Sequence, residues 1–175
     1  MINNYLYNIL FIKLIILFYK YKSNEKGNIK VKFIFKKLLT STAYMFWQCI
    51  SLQSINLSLF NTTNVKNMGG MFSGCSSLQT INLSSFNTTN VEDMNLMFSY
   101  CSSLQSIDLS SFNTTNVKNM SLMLYKCSSL QSIDLSSFNT TNVKYMGDML
   151  YGCSSLKKEN VKISSYGKKI LDELK

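Results

Sequence analysis

Five cysteines stand at positions 49, 75, 101, 127 and 153, a constant 26-residue period without a slip. Self-similarity at a fixed spacing of roughly 20–50 residues is the mark of a repeat architecture, so this spacing constrains the fold before composition is considered. Aligned on the cysteines, complete units cover residues 64–89, 90–115 and 116–141. A partial unit precedes them, over about 39–63, and another follows, from 142 to about 161. Nine of the ten methionines fall in two columns. One holds Met68, Met94, Met120 and Met146, the other Met45, Met71, Met97, Met123 and Met149. A residue type that recurs in a column stacks on its own copy in the next unit, which predicts a solenoid.

Two periodicities run inside each unit. Leu104, Ile107 and Leu109 end in strict alternation with Asp108 and Ser110, the pattern of a short half-buried strand. Val117, Met120, Met123 and Leu124 follow i, i+3, i+6, i+7 spacing, which predicts a short helix or 3₁₀ segment with one apolar side. Between them, SSFNTTN reads as a loop with Phe112 turned inward.

The consensus NVxxMxxMFxxCSSLQxIxLSSFNTT resembles the BspA-like leucine-rich repeat surface proteins, a 26-residue repeat family of bacteria and some parasitic protists. The resemblance covers residues 39–156, about two thirds of the chain. It implies an α/β repeat, a leucine-rich-repeat-type solenoid in which each unit is one short strand, a loop and a short helix or 3₁₀ segment. The general leucine-rich pattern has Asn or Cys where this chain has Phe86, Phe112 and Phe138, so a phenylalanine spine is expected in place of an asparagine ladder. The resemblance further implies a module displayed on or secreted from a cell, with a role in adhesion or host interaction.

Composition narrows the chemistry. The chain has no histidine, no arginine and no proline. That removes Ser-His and Cys-His nucleophile pairs, histidine-bearing zinc sites and bidentate guanidinium contacts to phosphate or guanine. The net charge of +9 invites a nucleic-acid reading, but its distribution argues against one. Residues 1–38 carry eight lysines and one acid, residues 157–175 six lysines and three acids, and the body 39–156 four lysines and five acids. Basic flanks beside an apolar segment suggest a membrane surface or a targeting element more than a nucleic-acid groove. No nucleic-acid partner is expected.

The recurring columns contain the candidate chemistry. Five aligned cysteines suggest metal binding, redox chemistry or a catalytic thiol. However, ladder side chains point the same way, the number is odd, and no histidine shares the column, so buried reduced thiols are expected. The methionine columns suit Cu(I), yet their spacing with Val, Phe and Leu is that of a core face. No metal, cofactor or enzymatic activity is expected. The exposed strand face carries Gln79, Asn82, Ser84, Gln105, Asp108, Ser110, Gln131, Asp134 and Ser136, flanked by Gln53, Asn56 and Ser58 in the partial unit. In leucine-rich repeats this face lines the concave side. It is therefore the candidate surface for an extracellular protein or glycan, against the alternative of a solvated face kept polar for solubility. Asn61, Asn87, Asn113 and Asn139 each begin an Asn-Thr-Thr run that matches a glycosylation acceptor and equally a turn.

The flanks are read separately. From Tyr5 to Tyr19, YLYNILFIKLIILFY is apolar throughout apart from Asn8 and Lys13, a candidate export or membrane-anchoring element or else an amphipathic or buried N-terminal one. Lysines after the run would hold its C-terminal side in the cytoplasm, which conflicts with export of the repeats. Residues 28–36 (NIKVKFIFK) alternate as a capping strand would. The expected organisation is thus an apolar and basic segment over 1–38, repeats over 39–161 and a C-terminal cap helix over 162–175. The main functional alternative is a membrane-anchored structural spacer without a specific ligand.

Overall fold

The structure is a computed structural model that describes residues 38–173. The apolar stretch from Tyr5 to Tyr19 and the strand expected over 28–36 lie outside the described residues. The chain forms a repeat fold whose joints are made by backbone hydrogen bonds between consecutive units. In each joint, four alternate N–H groups of one unit donate to carbonyls of the next. Met94, Leu96, Phe98 and Tyr100 donate to Asn119, Ser121, Met123 and Tyr125, at 2.7–3.0 Å. Those acceptors belong to the peptides whose N–H groups, on Met120, Leu122, Leu124 and Lys126, donate in turn to Tyr145, Gly147, Met149 and Tyr151. Each of these peptides therefore points its N–H towards the C-terminal end and its C=O towards the N-terminal end.

This ladder replaces the expected helical segment. Residues 120–127 run as successive four-residue turns: the Met123 N–H donates to the Met120 carbonyl, and the Cys127 N–H to that of Leu124. The third residue of each turn, Leu122 or Lys126, has positive φ, as in a type II turn. The same two columns hold all the positive-φ residues among those described, from Tyr44 and Gln48 to Asp148 and Gly152. A helix would spend its N–H groups on carbonyls four residues back and leave none for the next unit. The turns aim them outward instead, at a left-handed cost of roughly 1–2 kcal/mol per non-glycine residue. The apolar side of the segment is as expected: Val117, Met120, Met123 and Leu124 are fully buried.

On the other side of each unit the Leu-x-x-Ile-x-Leu run is a regular strand only at β1, Ile133–Leu135. It pairs in parallel with β2, Val161–Ile163, in the register Ile133↔Val161, Asp134↔Lys162 and Leu135↔Ile163. That register is two positions longer than the period of the cysteines, and a short 3₁₀ turn at Lys158–Asn160 absorbs the difference. Beyond β2 the expected cap helix is a 3₁₀ helix, Ser165–Glu173, with Ile170 fully buried in the common core.

One continuous core runs from Met45 to Ile170. The unit over residues 90–115 contributes nine buried apolar side chains, from Val91 to Phe112. Phenylalanines form two stacks. Phe46, Phe72 and Phe98 follow one another at 5.3 and 5.6 Å between centroids, with rings within 8° of parallel. Phe60, Phe86 and Phe112 form the other, at 5.8 and 6.4 Å. An asparagine ladder exists as well, in a different column: Asn90, Asn116 and Asn142 donate from Nδ2 to the carbonyls of Thr63, Thr89 and Thr115, each at 2.8 Å.

The Asn-Thr-Thr loops are tied by their buried threonines. Thr114 Oγ1 donates to the Asn139 carbonyl at 3.0 Å and accepts the Asn139 N–H at 2.8 Å, and Thr62 and Thr88 do the same in the two preceding units. Each hydroxyl thus satisfies two backbone groups, either of which would cost about 1–3 kcal/mol if left buried and unpaired.

Candidate functional site

All nine residues expected on the binding face are exposed. The alternation that exposes them is the one that buries Leu83, Ile107, Leu109, Ile133 and Leu135 behind them. The structure gathers four of them, Asn82, Ser84, Asp108 and Ser110, around an open depression of about 390 Å³ that Ile81, Leu83 and Ser111 complete. Gln79, Gln105, Gln131, Asp134 and Ser136 lie outside that lining.

The Asn/Asp column also has a local task that its sequence pattern hides. Asn56, Asn82, Asp108 and Asp134 each accept, on Oδ1, the N–H of the serine two residues on, at 2.9–3.0 Å. This is an Asx turn, and it ends the strand run in these four units. Asn61, Asn87, Asn113 and Asn139 repeat the device with Thr63, Thr89, Thr115 and Thr141. The Asx-x-Ser and Asn-x-Thr spacings were the available signal for both.

The turns set the electrostatics of the face. Hydrogen bonds from the Ser110 side chain and backbone hold the Asp108 carboxyl below the usual range, with the nearby Asp134 acting in the opposite direction. Ser136 does the same for Asp134, and Lys162 adds to it from 3.8 Å. Both groups are carboxylates at neutral pH, each with one oxygen committed to its turn. Asp108 has no cation partner among the described residues, and it is the one that borders the depression. The face therefore offers carboxylate, amide and hydroxyl groups to a ligand rich in hydrogen-bond donors.

The thiols are placed for packing. Cys75, Cys101, Cys127 and Cys153 donate from Sγ to the carbonyls of Phe46, Phe72, Phe98 and Leu124 at 3.1–3.2 Å. All five cysteines are buried and none is in a disulfide. Burial pushes the Cys101 thiol up to about 12 and that of Cys153 up to about 11, and raises those of Cys75 and Cys127 as well. A reactive thiol needs the opposite, exposure and a lowered pKa. Among the described residues no group of three His, Cys, Asp or Glu side chains is arranged to hold a metal ion, and no helix is long and apolar enough to cross a membrane.

The sequence reading passed over a group on the turn side. Tyr100, Tyr125 and Tyr151 come from three consecutive units, with ring centroids 5.3 and 5.7 Å apart. The Lys126 ammonium sits 5.3 Å from the first ring and 5.4 Å from the second.

A family profile described as "Mycoplasma protein of unknown function, DUF285" matches residues 17–110 and, in a second overlapping match, residues 40–166. No curated protein and no solved structure matches the chain.

Proposed function

The chain belongs to the DUF285 family, and from that premise we propose that it is a non-enzymatic binding module of the BspA-like leucine-rich repeat kind. In this reading the repeat units wind as a leucine-rich-repeat-type solenoid. The module is displayed on a cell surface or secreted, and takes a protein or glycan ligand on its polar strand face. The observation that supports it is the depression between two units, bordered by the Asp108 carboxylate and the hydroxyls of Ser84, Ser110 and Ser111. Polar groups converging on a concavity are what a recognition site needs. Inert thiols and the absence of histidine argue against catalysis.

The test compares the wild-type chain with Asp108→Asn/Asp134→Asn in binding to host-cell monolayers, matrix proteins and arrayed glycans. Asn56 and Asn82 already make the same Asx turn with an amide oxygen, so the double variant keeps the fold while removing both charges. At least a tenfold loss of binding is expected, and a complete loss for Asp108→Lys/Asp134→Lys. Undiminished binding to every surface by both variants would overturn the strand-face reading.

A further inference from the structure

Because the units are near copies, each serves as a control for the others: what the fold requires recurs, and what one unit alone carries calls for another reason. The column of Tyr125 and Tyr151 reads Trp47, Ser73, Ser99, Tyr125, Tyr151, and that of Tyr100 and Lys126 reads Gln48, Gly74, Tyr100, Lys126, Gly152, so two units carry serine in the first and two carry glycine in the second. Both glycines have positive φ, and so do Tyr100 and Lys126. The fold is thus built in this same chain without these side chains, and two of them stand where glycine is the relaxed choice. Gly152 in turn leaves room for its neighbour, since a Cβ there would come 2.8 Å from Lys126 Cγ. The departures converge: Tyr100 and Tyr125 flank the Lys126 ammonium and Tyr151 stacks on Tyr125, with Tyr100 and Tyr151 nearly half exposed at 47% and 46%.

We propose that Tyr100, Tyr125, Lys126 and Tyr151 form a second interaction surface, on the turn side, that docks an acidic, aromatic-bearing segment of a partner protein. Tyrosine supplies rigid amphipathic contact area at low entropic cost and is enriched at interface hot spots. Lys126 forms no ion pair with any described carboxylate. A carboxylate from a partner would meet the ammonium and the phenol hydroxyls together. An ammonium held beside two phenol rings favours a carboxylate-bearing peptide over a neutral sugar. The strand face, with amides, hydroxyls and carboxylates, has the opposite charge preference, so the two surfaces select different partners.

The internal copies also supply the test. In the full chain, Tyr100→Gly, Tyr125→Ser, Lys126→Gly and Tyr151→Ser are combined, giving these positions the residues of the sister units and leaving both basic flanks intact. The probe is a random glutamate–tyrosine copolymer, with polyglutamate and heparin as comparisons. The variant is expected to keep or raise its melting temperature, since two left-handed positions become glycine, and to bind the copolymer at least tenfold more weakly. The loss for polyglutamate should be smaller, and heparin binding should be unchanged. A fall in melting temperature of several degrees would make the cluster a structural ladder and overturn the proposal. Unchanged copolymer binding would overturn it too, as would a loss confined to heparin, which would point to a sulfated glycan. Asp108→Asn/Asp134→Asn leaves copolymer binding unaffected, so this result and that for the strand face can fail independently.

Discussion

Raising the pH from about 9 towards 11 is expected to unfold this chain. The cause is the buried cysteine column. A free thiol loses its proton near 9, whereas burial holds Cys101 protonated up to about 12 and Cys153 up to about 11, with Cys75 and Cys127 also raised. Below about 9 both folded and unfolded chains keep these protons, and the stability is fully present. Above it the unfolded chain releases protons that the folded chain retains, so stability falls as pH climbs through the folded values. Each thiol contributes about 1.4 kcal/mol per pH unit, and four together roughly 5 kcal/mol per unit. Between 9 and 11, below the folded value of Cys153, that loss is comparable with a typical total stability of about 5–15 kcal/mol. Denaturant midpoints measured at pH 8, 9, 10 and 11 should fall ever more steeply. Cys101→Ala should flatten that slope by about a quarter while lowering stability at pH 7. A midpoint constant from pH 8 to 11 would mean that the thiols are not buried in the native state.

The second large effect is expected at Phe98. Its ring is fully buried, stacks on Phe72 at 5.6 Å, and belongs to a column that reads Phe46, Phe72, Phe98, Leu124, Leu150. Phe98→Ala opens a cavity in the middle of that column, where units on both sides are held by the backbone ladder and cannot collapse inward. A cost of about 3–5 kcal/mol follows, a large share of the stability of a domain this size. Phe98→Leu only copies what Leu124 does in the next unit and should cost less than about 1.5 kcal/mol. Urea unfolding of the two variants separates the cases. Equal small effects would place Phe98 in a loose interior, contrary to the stack.

The columns of the fold were legible in the sequence because burial follows the repeat: Val117, Met120 and Met123 could be assigned to the core from spacing alone. Their backbone could not. The i, i+3 spacing fits a helix and a run of four-residue turns equally well. What separates them is where the N–H of Leu122 or Leu124 goes, and its acceptor lies in the next unit, on Gly147 or Met149. The threonines were hidden for a related reason. Thr88 and Thr114 sit in a polar loop by composition, yet each is buried because its hydroxyl meets a donor and an acceptor on the next unit.

At the strand face, exposure was readable from the alternation, whereas the Asx turns of Asn82, Asp108 and Asp134 were masked by it, because the serine two residues on also continues the strand's polar face. The Tyr100–Lys126 cluster was hidden because it spans two columns, Tyr100 and Lys126 in one and Tyr125 and Tyr151 in the other, and only the fold sets them side by side.

The ladder of the turn segments is this molecule's most distinctive feature, and amide hydrogen exchange resolved by residue tests it directly. The N–H groups of Met94, Leu96, Phe98 and Tyr100, and of Met120, Leu122, Leu124 and Lys126, all have acceptors on the following unit. Those of Met146, Asp148 and Gly152 occupy the same columns in the last turn segment and have none among the described residues. The first eight should exchange slowly and together, at the rate of global unfolding, and the last three orders of magnitude faster. Fast exchange at Leu96 and Leu122, or slow exchange with the i−4 pattern of a helix across residues 117–124, would contradict the ladder and the stacking built on it.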